Sequence, residues 1–255
     1  MQHPQTNKYH FLLGGYDLEM LEISQLLLAN KQQFSDLHLS WGATLDAYTH
    51  VLSADQDVVF VGIELGIGSH TTLPKNYIEI DHHNEKSHLP SSIEQVADLL
   101  GISLTRHQQL VAANDSGYIP AMRAMGASNE EIQHIRKLDR QAQGVTDTME
   151  QMALQSLKNL RFEQGVCVIK TPLEKFSPIV DRLNEKKLLI CNNETLNYYG
   201  EGVGLLAAQF HNFITAHKAY HGGGQSGFFG TATGAFSETE LNALIPQIIA
   251  HVAGT

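Results

Sequence analysis

The residues best suited to chemistry are an aspartate and two histidines that follow an apolar run. In Ile78-Glu-Ile-Asp-His-His-Asn84, Asp81, His82 and His83 come directly after a predicted strand. Ligands bind at the carboxyl ends of the strands in open parallel sheets, so we expect these side chains at a binding edge. One imidazole can ligate a metal while a carboxylate fixes its tautomer, and the second can donate to a phosphate oxygen. Taken alone, the three residues could equally be a solvated polar loop.

Four further carboxylates lie where the same sheet edge would place them. Asp17 and Glu19 follow the first apolar run. Glu64 ends the third run, and Asp115 follows a helical segment. Structural roles remain open for each: Asp17 as a helix N-cap, Glu19 as a charge in the first helical turn, Glu64 as a turn acceptor and Asp115 in a helix-ending turn. The structural interpretation of the whole set requires several coincidences, so we favour one shared metal site.

The elements that must position these residues are strands alternating with helices. β-Type runs occupy 9–13, 37–41, 58–63 and 77–80, and helical patterns occupy 18–28 and 44–52. This alternation predicts βαβ units and a mostly parallel sheet with flanking helices. Helical periodicity dominates from the capping box at Ser91 to Leu160, where strand patterns return. We therefore predict an α/β protein with one domain over 1–160 and a smaller α/β domain over 165–255.

A glycine-rich segment lies in the predicted second domain, at Tyr220-His-Gly-Gly-Gly-Gln-Ser-Gly-Phe-Phe-Gly230. Because glycine has no Cβ, its backbone amides can approach an anion closely. The segment is thus a candidate phosphate-binding loop, with a hairpin tip as the alternative.

The order of these motifs resembles that of the DHH phosphoesterase superfamily. The shared features are a strand followed by an acid pair, a strand ending in a lone acid, the Asp-His-His strand and an aspartate beyond the next helix. The glycine-rich segment is similar to the substrate-binding loop of the associated DHHA1 domain. The resemblance covers nearly the full length. It implies a DHH-type first domain, a DHHA1-like second domain and metal-dependent cleavage of a phosphate ester.

Carried over position by position, the resemblance implies a role for each candidate residue. His83 would face the substrate phosphate, and Asp81 would support the histidines. The metal ligands would be Asp17, Glu19, Glu64, His82 and Asp115, holding one or two ions of Mn²⁺ or Mg²⁺. The substrate-binding loop would comprise Gly222, Gly223, Gly224 and Gln225.

The sequence departs from the superfamily pattern at four positions. The first motif of the superfamily opens with a histidine where this chain has Leu13, and His10 lies too early in the strand to replace it. Two acids that are usually aspartate are Glu19 and Glu64 here, and a loop histidine is replaced by Gln225. A lost neutral ligand and two lengthened ones must alter the metal cavity, because metal-site geometry is sensitive to a shift of one methylene group.

Composition narrows the class of substrate. The 255 residues carry a formal net charge of −10, which argues against binding a long nucleic acid tract, since phosphate-backbone affinity needs clustered Lys and Arg. A bound divalent cation can supply the local positive charge for a small phosphorylated substrate. No apolar run approaches the length of a membrane span, and the two cysteines, Cys167 and Cys191, are typical of buried strands. We expect a cytoplasmic protein without a membrane partner, which can form a homodimer.

Two functions follow from these expectations. The first is an enzyme that hydrolyses a short oligonucleotide, a linear dinucleotide, a nucleoside bisphosphate or a short polyphosphate. The second is a non-catalytic sensor of a phosphorylated metabolite, for which the leucine at position 13 is the main support.

Overall fold

The chain folds into two compact units, residues 1–144 and 145–255. The computed structural model describes residues 8–52, 58–69, 71–183, 185–222 and 227–254. The division falls before the predicted boundary at residues 160–165. The reason lies in the helix Asp147–Ser156, whose Ala153 is buried in an apolar cluster with strand residues of the second unit, among them Cys167 and Ile190.

The first unit is built on a parallel sheet. Its strands are β1 (Lys8–Leu13), β2 (Gln33–Ser35), β3 (Val58–Ile63) and β4 (Tyr77–Ile80). They are ordered β2-β1-β3-β4, and every neighbouring pair is parallel. The helices are α1 (Leu18–Ala29), α2 (Ser92–Leu100), α3 (Arg106–Ala124) and α4 (Asn129–Ala142). The prediction of an α/β unit with a mostly parallel sheet is confirmed.

Both faces of this sheet are buried where its central strands are apolar, toward their carboxyl ends. Phe11 and Leu13 of β1 pack into one cluster with residues of α1 and α2. Leu12 points to the opposite face, where it packs with Tyr48 of a short 3₁₀ helix, Leu45–Tyr48. Continuous apolar runs are typical of parallel strands covered on both sides.

Three local predictions for the first unit were wrong. Residues 37–41 do not form a strand; Leu39 makes only an isolated bridge to Gly15, and the short strand β2 lies just before. The helix predicted over 44–52 is a single 3₁₀ turn. Asp115 does not follow a helix but lies near the end of the first of two helical segments of α3, which meet at a kink with non-helical backbone angles at Gly117 and Tyr118.

The second unit combines a mixed sheet with helices, as expected of a second α/β domain. Its six strands are β5 (Arg161–Glu163), β6 (Val166–Lys170), β7 (Lys187–Cys191), β8 (Leu196–Gly200), β9 (Ala219–Gly222) and β10 (Phe228–Thr231), ordered β5-β6-β7-β8-β10-β9 among the described residues. Its helices are α5 (Asp147–Ser156), α6 (Ser177–Val180), α7 (Val203–Gln209), α8 (His211–Thr215) and α9 (Glu238–Val252). Only β6 and β7 pair in parallel among these described strands. Within the part of the chain that the structure describes, no helix is both long and apolar enough to cross a membrane.

Candidate metal centre

The strand order of the first sheet brings the predicted site residues to one edge. Asp17 follows β1, Glu64 follows β3, and Asp81 follows β4. Because these strands are parallel neighbours, their carboxyl ends meet at the same side of the sheet. The Glu64 amide donates to the Ile80 carbonyl at 2.8 Å, which extends the pairing of β3 and β4 to the site itself.

His82 is the centre of the site. Its side chain is only 6% exposed, and its Nε2 lies 2.6 Å from Asp115 Oδ2, 3.4 Å from Glu64 Oε1 and 3.7 Å from Glu19 Oε2. These carboxylates come from α3, from the end of β3 and from α1. One donor atom each from Glu64, His82, His83 and Asp115 lies within 4.8 Å of the others.

The donor atoms fit a divalent cation better than they fit one another. His82 Nε2, Asp115 Oδ2 and Glu19 Oε2 are buried, yet none of the three makes a hydrogen bond of acceptable geometry. Buried polar atoms without partners are costly and rare in native proteins. An ion held between one imidazole nitrogen and several carboxylate oxygens would satisfy all three atoms at once, and Mn²⁺ and Mg²⁺ prefer such oxygen-rich donor sets.

The N-terminus of α2 orients two of the acids. Glu19 Oε1 accepts a hydrogen bond from the Ile93 amide at 3.0 Å, and Glu64 Oε1 accepts one from the Ser92 hydroxyl at 2.7 Å. The helix start is fixed by a capping box between Ser91 and Glu94. Sequence reasoning located the capping box but missed the role of Ser92 and of the Ile93 amide; the signal was the serine pair just beyond the Asp-His-His motif.

Glu64 holds an unusual backbone conformation. Its φ of 52° lies in the left-handed region, which non-glycine residues seldom adopt. Gly14 passes directly beside it, and a Cβ on Gly14 would lie 2.6 Å from the Glu64 carbonyl oxygen. Strain of this kind is often found at functional sites, and here it falls on an acid that faces the candidate centre.

Asp17 has the capping role that was considered from the sequence, and it also faces the candidate site. Its Oδ1 accepts from the Met20 amide at 2.9 Å, so it is the N-cap of α1. It also lines the cavity that contains Glu64 and His83. The capping hydrogen bond engages one oxygen of the carboxylate and orients the group. The remaining lone pairs can coordinate a cation.

Crowding of the acids changes their proton affinities. Burial raises the pKa of Asp17 to about 7, and the nearby charges of Asp115 and Glu64 act in the same direction. Burial and the same two charges hold the pKa of Glu19 well above its usual range. Burial lowers the pKa of His82, but the carboxylates of Asp115 and Glu64 outweigh burial and raise it to about 10. The site therefore attracts positive charge strongly.

A buried arginine braces the segment that carries Asp115. Arg136 of α4 donates to Asn114 Oδ1 at 2.9 Å and to Asp139 Oδ2 at 2.6 Å. Its guanidinium also lies 4.3 Å from the ring centroid of Tyr118, at the kink of α3. Nothing in the sequence pattern indicated this contact, because the residues come from two helices that meet only in the fold.

Comparison with known proteins agrees with this architecture. No family sequence model matches the chain, and neither does any curated protein sequence. A solved structure described as a DHH domain, from a member of a family of ribosomal proteins, matches with a TM-score of 0.50 and 10% identity, covering 96% of this chain and 87% of that one. The chain has the DHH fold.

Two RecJ structures are also similar to this DHH-fold chain. An exonuclease RecJ bound to manganese matches at 13% identity and a TM-score of 0.43, over 98% of this chain and 90% of that one. RecJ from Thermus thermophilus in complex with Mn²⁺ matches at 11% identity and a TM-score of 0.43, over 98% of this chain and 52% of that one.

The second histidine of the DHH motif lies next to the first. The His82 and His83 rings are 4.4 Å apart between centroids. Asp81 Oδ1 accepts from the His83 amide at 3.0 Å and lies 3.1 Å from His83 Nδ1. Asp81 therefore orients His83 and leaves its Nε2 for another partner, since the contact fixes the opposite ring nitrogen.

Leu13 takes no part in the site. It is fully buried and packs in the apolar cluster between the sheet and α1. His10 does not replace the missing DHH histidine, since its Nε2 lies 2.9 Å from Ser35 Oγ and its ring packs against Phe60. Position 13 therefore offers no polar side chain to the site, and the acids that follow β1 are Asp17 and Glu19.

The predicted glycine loop is only partly described. Gly222 is the last residue of β9 and pairs with Phe228 of β10. Gly223, Gly224 and Gln225 lie outside the described residues. Their predicted role in substrate binding stays a prediction.

Proposed function

We propose that this DHH-fold chain is a metal-dependent hydrolase of a small phosphoester or phosphoanhydride. One observation carries the proposal: the buried His82 Nε2 lies within 3.7 Å of three carboxylates, and neither it nor two of the facing oxygens makes a hydrogen bond of acceptable geometry. Such a constellation is too costly to be retained for stability alone. It fits a divalent metal ion that would bind the phosphate group of the substrate.

The ligand set that we assign comprises Asp17, Glu19, Glu64, His82 and Asp115. Carboxylate oxygens with one imidazole favour Mn²⁺ or Mg²⁺ over zinc, which takes more nitrogen and sulfur ligands. Glu64 follows the strand between the other two acid-bearing strands, so it would hold the metal from the middle of this edge. When bound, the metal would polarise a phosphoryl oxygen and lower the pKa of an attacking water.

The remaining polar groups act on the substrate directly. His83 can donate from Nε2 to a phosphoryl oxygen when both of its ring nitrogens carry protons, since Asp81 Oδ1 faces Nδ1 and leaves Nε2 open. A proton held on His83 would also be available to the leaving oxygen. Asp17, Glu64 and His83 line a cavity of about 580 Å³, within the range of small-molecule pockets, which span about 300–1,000 Å³.

The substrate that we propose is small. The net charge of −10 opposes binding of long nucleic acid, so we favour a short oligonucleotide, a linear dinucleotide, a nucleoside bisphosphate or a short polyphosphate. The loop at 222–225 is proposed to contact its phosphate. A homodimer and a cytoplasmic location stay predictions from the sequence.

Hydrolysis of bis-p-nitrophenyl phosphate with Mn²⁺ tests the proposal. We expect turnover by the natural chain and a loss of about 100-fold or more in both His82→Ala and Asp115→Ala, with unchanged circular dichroism. His10→Ala is the matched control, because His10 is a half-buried histidine that contacts Ser35 and not the site. Equal turnover in all variants would rule out this centre as the source of activity.

A second function is favoured by Leu13. With this position buried in the core, the site lacks one neutral ligand of the DHH pattern, and the chain could bind a phosphorylated metabolite without cleaving it. The same proteins discriminate the two functions. Metal-dependent nucleotide binding without turnover would support the sensor and exclude the enzyme.

A further inference from the structure

Trp41 is the most exposed large apolar residue described. It is 87% exposed, although tryptophan is usually well buried and exposing it forfeits a large hydrophobic gain. It is also the only tryptophan in the sequence. The indole is thus open to a ligand at the edge of a polar cavity.

The backbone around Trp41 is firmly held. On one side, the Tyr16 amide donates to the Leu39 carbonyl at 2.7 Å. On the other, the Gly66 amide donates to the Ala43 carbonyl at 3.0 Å. Gly15 packs so closely that a Cβ there would lie 3.0 Å from Trp41 Cα. The indole is therefore presented from a fixed loop and is not the tip of a loose one.

Trp41 lines the same cavity as the metal centre. Asp17, Glu64 and His83 line it as well, and all of these residues belong to the first unit. If the phosphate of a ligand reached the metal centre, the remainder of the ligand would thus lie beside the indole. The cavity of about 580 Å³ can enclose a group larger than phosphate alone.

We propose that Trp41 is the stacking platform for a nucleobase of the substrate. This inference rests on the proposed function and narrows its substrate to nucleotides, which excludes polyphosphate as the preferred ligand. An indole face stacks on any base and carries little sequence information, and the site needs no basic surface for it. Such a platform must be accessible before the ligand binds, and its backbone must already be held in place. Binding then costs little conformational entropy of the loop.

The sole tryptophan makes the test direct. Adenosine 5′-monophosphate and ribose 5-phosphate, which shares the phosphate but has no base, are titrated with Mn²⁺ while the intrinsic fluorescence is recorded. We expect saturable quenching by adenosine 5′-monophosphate and none by ribose 5-phosphate. By calorimetry, Trp41→Ala should weaken binding of the nucleotide by about 10- to 100-fold and leave ribose 5-phosphate unchanged, whereas Trp41→Phe should stay within about fivefold of the natural chain.

Phe162→Ala is the matched control. Phe162 is also an exposed aromatic residue, at 60%, but it lies on β5 of the second unit. We expect natural affinity for both ligands in this variant. Natural affinity for the nucleotide in Trp41→Ala would overturn the inference, and so would unchanged fluorescence in the natural chain, whether or not the nucleotide binds.

The outcomes separate this inference from the proposed function. Base-dependent quenching with no hydrolysis of any phosphodiester would leave the stacking platform standing and remove the hydrolase. Hydrolysis that is lost in His82→Ala but is indifferent to Trp41 and to the base would retain the hydrolase and remove the platform.

Discussion

Single residues at the centre adopt states that folding alone would not select. Asp17 and Glu19 are buried acids whose pKa values are raised, and Glu64 has a left-handed backbone. Each of these features lowers the stability of the metal-free protein. Without a cation, the buried negative charges of these acids are unfavourable. A bound divalent ion would make them favourable through direct electrostatic attraction. The residue scale is therefore where stability and function can be separated by experiment.

Replacement of Asp17 by asparagine should stabilise the metal-free protein at neutral pH. Asparagine caps helices as well as aspartate does, so α1 keeps its cap while the buried charge is removed. The folded-state pKa of Asp17, about 7, exceeds the ordinary value of 3.8, so its stabilising contribution is full below pH 3.8 and is lost as the pH rises through 7.

Urea denaturation in EDTA at pH 5 and pH 8 measures this effect. The advantage of Asp17→Asn should grow with pH and reach on the order of 2 kcal/mol at pH 8. Saturating Mn²⁺ should reverse the order, because only the natural chain offers the charged ligand. An advantage that is equal at both pH values would show that the Asp17 charge is not the cause.

Glycine at position 64 should be tolerated better than alanine. The φ of 52° penalises any residue with a Cβ by about 1–2 kcal/mol, and glycine escapes that penalty. We therefore expect Glu64→Gly to be more stable than Glu64→Ala by about 1 kcal/mol in EDTA. Both variants should lose Mn²⁺ affinity equally. Equal stability of the two in thermal unfolding would mean that the left-handed backbone relaxes without cost.

At the scale of elements, the N-terminus of α2 controls the geometry of the centre. Its capping box fixes where the helix starts, and the next two residues hold Glu64 through the Ser92 hydroxyl and Glu19 through the Ile93 amide. A helix start is usually a matter of stability alone. Here it also sets the positions of two acids that come from other elements.

Loss of the α2 cap should therefore affect metal binding as well as stability. We expect Ser91→Ala to lower the free energy of unfolding by about 1–2 kcal/mol and to weaken Mn²⁺ binding measurably by calorimetry. Ser128→Ala is the matched control, because Ser128 caps α4 of the same unit with the same box. It should lose similar stability without any change in Mn²⁺ affinity. A parallel loss of affinity in both variants would point to a general loosening of the unit.

Elements with strong local signals were predictable from the sequence. The strands at 58–63 and 77–80 and the capping box at Ser91 appear as expected, because apolar runs and caps depend on near neighbours. The strand expected at 37–41 is absent, although its alternating apolar residues match the pattern. Its backbone instead binds Gly15 and Tyr16 at the loop after β1, a contact that only the tertiary fold supplies.

The site was partly predictable for the same reason. Acids and histidines after apolar strands must meet at one edge if the strands are parallel, and the distances around His82 follow that rule. The contacts that hold the site residues in position could not be predicted from the sequence. Ser92 and Arg136 reach the centre through helices whose packing leaves no short-range mark in the sequence. The left-handed backbone of Glu64 was equally invisible, because glutamate does not signal it.

At the scale of the whole molecule, the proposed metal ligands all belong to one of the two units. Every ligand that we assign lies between residues 17 and 115, inside the unit that ends at 144, whereas the net charge of −10 is a property of the full chain. A ligand stabilises only the cooperative unit that binds it, by an amount that grows with its free concentration. Metal binding should therefore raise the unfolding free energy of the first unit and leave that of the second unit unchanged.

Hydrogen exchange with and without Mn²⁺ measures this division strand by strand. At about 100 times the dissociation constant, the metal should stabilise its unit by about 2.7 kcal/mol, which slows exchange through full opening of that unit about 100-fold. We expect this slowing in β1 and β3, and none in β6 to β8 of the second unit. Asp115→Asn should abolish it at equal fold stability. An equal rise of protection in both sheets would instead show that the two units open together, and the metal would then stabilise the chain as one cooperative block.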